Sequence, residues 1–101
     1  MCYLQRCFAV VILAVVNMAM PASLYAGQAE YDDCILKYLK NAKHDVATRF
    51  IKQACKENYK TPTFTSVKRK AYNNCLLEHL VGVESLDAVM EISGACNRKF
   101  K

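Results

Sequence analysis

Four cysteines, Cys34, Cys55, Cys75 and Cys96, are the residues of this chain best suited to chemistry. They form two pairs with one spacing, C-x20-C. Protein thiols bridge, bind metals or exchange disulfides. Zinc sites and thioredoxin-like centres favour a close C-x-x-C pairing, which this sequence lacks. Bridging is therefore the preferred chemistry. Other reactive constellations are weaker still. His44 and His79 are not in ligand spacing, and Ser66, Ser85 and Ser93 have no nucleophile elbow or base partner around them. With three glycines in the whole chain there is no Gly-rich phosphate loop. No enzyme, cofactor or metal is expected.

The cysteines belong to a larger repetition. A shift of 41 positions places Tyr31-Asp-Asp-Cys34 on Tyr72-Asn-Asn-Cys75 and Cys55 on Cys96. It also places Leu36 on Leu77, Leu39 on Leu80, Ala47 on Ala88, Ile51 on Ile92 and Ala54 on Ala95, with no gap. One small unit is made twice, which sets the architecture. In the first unit Tyr31, Cys34, Ile35, Tyr38, Leu39 and Ala42 follow helical spacing, and so do Val46, Ala47, Phe50, Ile51, Ala54 and Cys55. Asn41 and its counterpart Gly82 tolerate the left-handed conformation that ends a helix. Asp45, or Ser85 in the second unit, is expected to cap the next helix.

Each unit thus reads as an αα-hairpin. Each cysteine pair is equidistant from its turn, and in an antiparallel hairpin equidistant residues lie at one level. This favours Cys34–Cys55 and Cys75–Cys96 over the other two connectivities. Each bridge would contribute about 3 kcal/mol by loop-closure entropy. The expectation is an all-α fold: two tandem disulfide-stapled αα-hairpins, four short helices in all, after an N-terminal signal-peptide helix. Residues 1–26 form the signal and residues 27–101 a single domain, with repeat one at 31–60, a linker at 60–66 and repeat two at 72–101. Pro62 and the linker hydroxyls should stop the second helix, Ser66 should cap the third, and Phe64 should tuck between the hairpins.

The signal reading rests on Arg6, the apolar run Phe8 to Val16, the break at Pro21 and the small residue Ala26 before Gly27. An uncleaved anchor is the rival, since Cys7 to Ala26 could just span a bilayer. Cleavage would remove Cys2 and Cys7 and leave an even number of cysteines in a short exported domain, which reads as a disulfide framework. It would also remove one of 14 Lys/Arg and none of 9 Asp/Glu, leaving about four net positive charges. That mild excess permits anionic partners without demanding them.

Differences between the units point to candidate surfaces. Lys40, Ala42, Thr48 and Arg49 become Val81, Val83, Val89 and Met90. The extra apolar stripe either packs on repeat one, the simpler reading, or forms a partner surface, a second copy included. Val46 and Phe50 become Asp87 and Glu91, so Leu86, Val89, Met90 and Ile92 should line the inner face of the fourth helix. The acid pair is then a solvated face. Arg49, Lys52, Lys56 and Lys60 form a basic ridge, and Lys68, Arg69 and Lys70 a second cluster; both are candidates for anions. The second cluster opposes the helix dipole if it lies in a first turn. The preferred reading is a later helix start; the alternative is an offsetting acid or anionic ligand.

The signal, the two C-x20-C units and the phrase Cys75-Leu-Leu-Glu-His-Leu-Val-Gly-Val resemble small exported bacterial four-cysteine proteins. The resemblance covers the whole chain after the signal, with repeat one departing at Asn41-Ala42. That group has no established activity, so no functional residue carries over. Mitochondrial twin-cysteine hairpins, with two bridges per hairpin, are a looser analogy. The expected function is a non-catalytic exported interaction module of the cell envelope or secreted space. The alternative is a small cationic effector that binds membranes or anionic envelope polymers. Expected partners are an envelope or extracellular protein or a second copy, with anionic polymer or lipid next. Nucleic acid is not expected, because no groove-reading motif is present.

Overall fold

A computed structural model describes residues 23–101, with side chains from Gly27 onward. The export segment expected over residues 1–26, with Cys2 and Cys7, lies outside this description apart from the backbone of 23–26. Four α-helices follow one another: α1 (Ser23–Tyr38), α2 (Asp45–Cys55), α3 (Val67–His79) and α4 (Leu86–Lys99). There is no strand among the described residues. The α1–α2 and α3–α4 pairs are the two expected hairpins. Cys34–Cys55 and Cys75–Cys96 are the bridges, each with its Cα atoms 5.8 Å apart.

The two turns differ in how they close. Gly82 takes the left-handed conformation, with φ 81°. Asn41 does not: Leu39–Asn41 is a 3-10 turn, and the chain leaves it through Ala42 in an extended conformation. Tightening the last helical turn lets the Ala42 N–H reach the Leu39 carbonyl, so no positive φ is required. The caps also correct the sequence reading. Ser85 caps α4 by accepting from the Ala88 N–H, but in unit one the cap is His44, whose Nδ1 accepts from the Val46 N–H. Asp45 is instead the first residue of α2. His44 and Ser85 are the equivalent positions under the 41-residue shift.

The second helical run stops at the linker, as expected, but its last turn is not α-helical. The run continues from α2 through a π-helical segment, Lys56–Lys60, before the 3-10 turn Pro62–Phe64. The backbone of α1 comes close to this segment: a Cβ on Gly27 would meet the Tyr59 carbonyl oxygen at 2.9 Å. Ser66 caps α3, as expected, by accepting from the Arg69 N–H. Phe64 does not tuck between the hairpins. It is 90% exposed, at the end of the 3-10 turn Pro62–Phe64.

Buried residues of both hairpins form one core: Ala47, Ile51, Ala54 and Cys55 from unit one with Leu76, Leu77, Leu80, Val89 and Cys96 from unit two. Helix α2 packs on α3 and α4. The hydrophobic pattern at three- and four-residue spacing accounts for this directly, since it places one apolar stripe per helix toward the shared centre.

Candidate functional site

The most developed polar site is the seam between the hairpins, where the π-helical segment lies against α3. Glu57 is at its centre. Its Oε1 accepts from Arg69 Nε at 2.7 Å and from Asn73 Nδ2 at 3.1 Å, and its Oε2 accepts from Gln53 Nε2 at 2.9 Å. Asn73 Nδ2 also donates to Asn58 Oδ1 at 3.0 Å, and Asn58 Nδ2 donates to Asn74 Oδ1 at 2.9 Å. Asn73 is only 1% exposed. A buried amide needs partners, and these carboxyl and carboxamide oxygens supply them. The Arg69 guanidinium also lies over the Tyr72 ring, 4.7 Å from its centroid.

This arrangement holds charge rather than moving protons. The Arg69 hydrogen bond is the main force keeping the Glu57 carboxyl below its ordinary range; partial burial opposes it, and Gln53 and Asn73 reinforce it. Donating to the Glu57 carboxylate raises Arg69 in turn. A carboxylate already accepting from three side chains is a fastener. Thr65 Oγ1 completes the corner by donating to the Glu57 and Thr61 carbonyls, at 2.9 Å each.

Sequence reasoning missed Glu57, Asn58, Asn73 and Asn74. The available signal was their replacement in the other unit, where the equivalents are Arg98, Lys99, Asp32 and Asp33. The basic cluster at the start of α3 is resolved by the same seam. The helix begins at Val67, so Lys68, Arg69 and Lys70 do occupy its first turn, contrary to the later start. Glu57 is the acid that offsets Arg69. On the ridge, Arg49, Lys52, Lys56 and Lys60 are all exposed, and Lys60 Nζ lies 4.4 Å from the Tyr31 ring centroid.

The four apolar candidates are not one surface. Val89 is fully buried, Val81 and Val83 are half-buried against the core, and only Met90 is exposed, at 53%. The inner face of α4 is Val89, Ile92, Ser93 and Cys96; Leu86 and Met90 point to solvent instead. Of the stripe, Val89 alone lies fully in the joint core, because the helical period carries 89, 93 and 96 to one side. Asp87 and Glu91 are exposed, as expected of a solvated face.

Chemistry-bearing side chains elsewhere are also engaged. Ser93 donates to the Met90 carbonyl at 3.0 Å, while Ser66, Ser85 and His44 are caps. His79 is exposed beside Glu78. It lines a shallow groove between α3 and α4 with Cys75, Ile92, Ala95, Cys96 and Lys99. Lys43 meets Glu84 at 3.6 Å, joining the equivalent positions of the two turns.

A family model described as Four-cysteine protein VF_A0006-like matches residues 10–100. No curated protein and no solved structure matches the chain.

Proposed function

We propose that this chain, which belongs to the Four-cysteine protein VF_A0006-like family, is a non-catalytic interaction module exported to the envelope or secreted space. One observation carries the reading: a doubly bridged helical frame presents large apolar side chains to solvent on both units. Leu36, Phe64, Val67, Leu86 and Met90 are all exposed while the four cysteines are tied in bridges. Apolar side chains on a rigid frame lose little entropy on docking, which favours association. The bridges support an oxidising destination, in keeping with the apolar N-terminal segment. Cross-linking of the chain in intact envelopes, followed by mass spectrometry of the joined peptides, tests the role. A small set of protein partners is the expected result, and an N-terminal peptide starting at Gly27 would accompany it. A chain that remains cytosolic with its thiols free defeats the proposal.

A second reading has its own support. Arg49, Lys52 and Lys56 are exposed and form no ion pair among the described residues. With Lys60 they make a ridge suited to anionic lipid or polymer. Binding to anionic vesicles that weakens with salt, and is lost in Lys52→Glu/Lys56→Glu, is the expected result for a cationic effector. Salt-insensitive binding rules it out.

A further inference from the structure

The seam joins the back of unit one, α2 and its π-helical extension, to the front of unit two, α3. Because the units are related by a constant shift, each side has an unpaired counterpart: the back of unit two is α4, and the front of unit one is α1. The exposures show what is missing there. On the back, Ile51 and Ala54 are 0% and 1% exposed, whereas their equivalents Ile92 and Ala95 are half-buried and exposed. On the front, Leu77 is 3% exposed and its equivalent Leu36 is 69% exposed. The open back is a groove of about 340 Å³ lined by Cys75, His79, Ile92, Ala95, Cys96 and Lys99. In unit one the matching Ile51, Ala54 and Asn58 are already covered, Asn58 by its hydrogen bonds to Asn73 and Asn74.

Charge says what fits the open groove. In the seam the π-helical end of α2 lies against α3, through Glu57 with Arg69 and Asn58 with Asn74, and only residues 61–66 separate the two, so helices packed along each other after so short a connection run antiparallel. Helix α4 carries Asp87 and Glu91 near its start and Arg98 and Lys99 at its end. Helix α1 carries Glu30, Asp32 and Asp33 first, and Lys37 and Lys40 follow. Antiparallel apposition of α1 and α4 therefore sets acid against base at both ends. Within the closed seam the equivalents of Arg98, Lys99, Asp32 and Asp33 are Glu57, Asn58, Asn73 and Asn74, mostly amides. The seam's own ion pair is Glu57 with Arg69, whereas the open surfaces carry acids and bases at both ends.

We infer that the groove between α3 and α4 receives α1 of a second copy of this chain, in a head-to-tail contact that repeats the seam between its own units. Leu36 of the incoming helix takes the place that Leu77 holds in the seam, and Asp32 and Asp33 face Arg98 and Lys99. Such a contact uses different surfaces on the two copies, so it leaves one open end on each and extends into a string or closes into a ring. The inference rests on the interaction-module reading and names its partner.

Sedimentation velocity of the oxidised chain, as it leaves the export route, tests it. Mass should grow with concentration, and growth should weaken as salt screens the charges. Leu36→Asp blocks one surface and Ala95→Arg the other; both residues are exposed, so the core is untouched. Each variant alone should associate about tenfold or more weakly, the loss expected from removing one buried apolar contact. An equimolar mixture of the two should form one-to-one pairs and stop, since each variant retains the surface the other lacks. A chain monomeric up to about 1 mM, a concentration matching only about 4 kcal/mol of association, overturns the inference. So does association that neither variant weakens, or a mixture no different from its components. A monomeric chain that still cross-links an envelope protein defeats self-docking and leaves the module reading standing. Head-to-tail growth by a chain retained in the cytosol does the reverse.

Discussion

Glu57 shows how much of this molecule depends on single polar residues. Its carboxyl is held below the ordinary glutamate range chiefly by the Arg69 hydrogen bond. The unfolded chain therefore takes up this proton first as pH falls, and the folded chain resists. The stability Glu57 supplies is complete above the usual carboxylate range and is lost as pH drops through its lower folded value. Arg69 is nearly half exposed, so solvent limits the pair to about 1 kcal/mol or less. Glu57→Gln should lower the urea midpoint slightly at pH 7 and flatten its decline between neutral and acidic pH. Equal acid slopes in both proteins would contradict this account. Asn73→Ala should cost more, about 1–3 kcal/mol, because it strands buried partners. The seam was hidden in the sequence for a physical reason. Polar pairs such as Asn73 with Glu57 leave no periodic trace, whereas a cysteine in an oxidised hairpin has one kind of partner and can be matched by spacing alone. His44 was missed as a cap because Asp45, beside it, belongs to the residue types that usually cap.

Each hairpin combines a helix pair, a tight turn and a bridge, and the elements most legible in the sequence are the ones that repeat. Helical periodicity predicted both partners of each hairpin. Gly82 marked its turn correctly, since only glycine adopts the left-handed region at little cost. Asn41 did not, because a 3-10 closure removed the need. Phe64 misled because a lone aromatic in a linker carries no phase that would say which way it faces. The bridges differ in a way that can be measured. Cys34 and Cys55 are both buried, whereas Cys75 is only partly covered and lines the open groove with Cys96. Thiol–disulfide exchange needs access to a sulfur as well as a thiolate. Limited reductant followed by alkylation should therefore label Cys75 and Cys96 before Cys34 and Cys55, by mass spectrometry of the peptides. Losing either bridge should cost about 3 kcal/mol. Simultaneous labelling of all four would mean that the frame opens as a whole before either sulfur pair is reached.

At the scale of the whole molecule the duplication has produced two units of unequal situation. Unit one has its back covered by α3; unit two has its back open. A chain of this size gains little from a core confined to one hairpin, and the buried residues form one cluster drawn from both. That places cooperativity in the joint core, with the bridges limiting how far each hairpin opens. Leu80 tests the arrangement. It is fully buried, it belongs to unit two, and it lies in the cluster that contains Ile51 and Ala54 of unit one. Leu80→Ala should cost about 2–5 kcal/mol through lost burial and the cavity left behind. If the two hairpins share one transition, hydrogen exchange in α2 should accelerate as much as in α3 and α4, although the substitution is on the other unit. Faster exchange confined to α3 and α4 would mean that unit one is stable by itself and that its contact with unit two is a docking surface rather than part of a common core. The buried Asn73 favours the first outcome: an amide with almost no solvent contact, satisfied only by residues of the opposite hairpin, cannot keep its partners if the units separate.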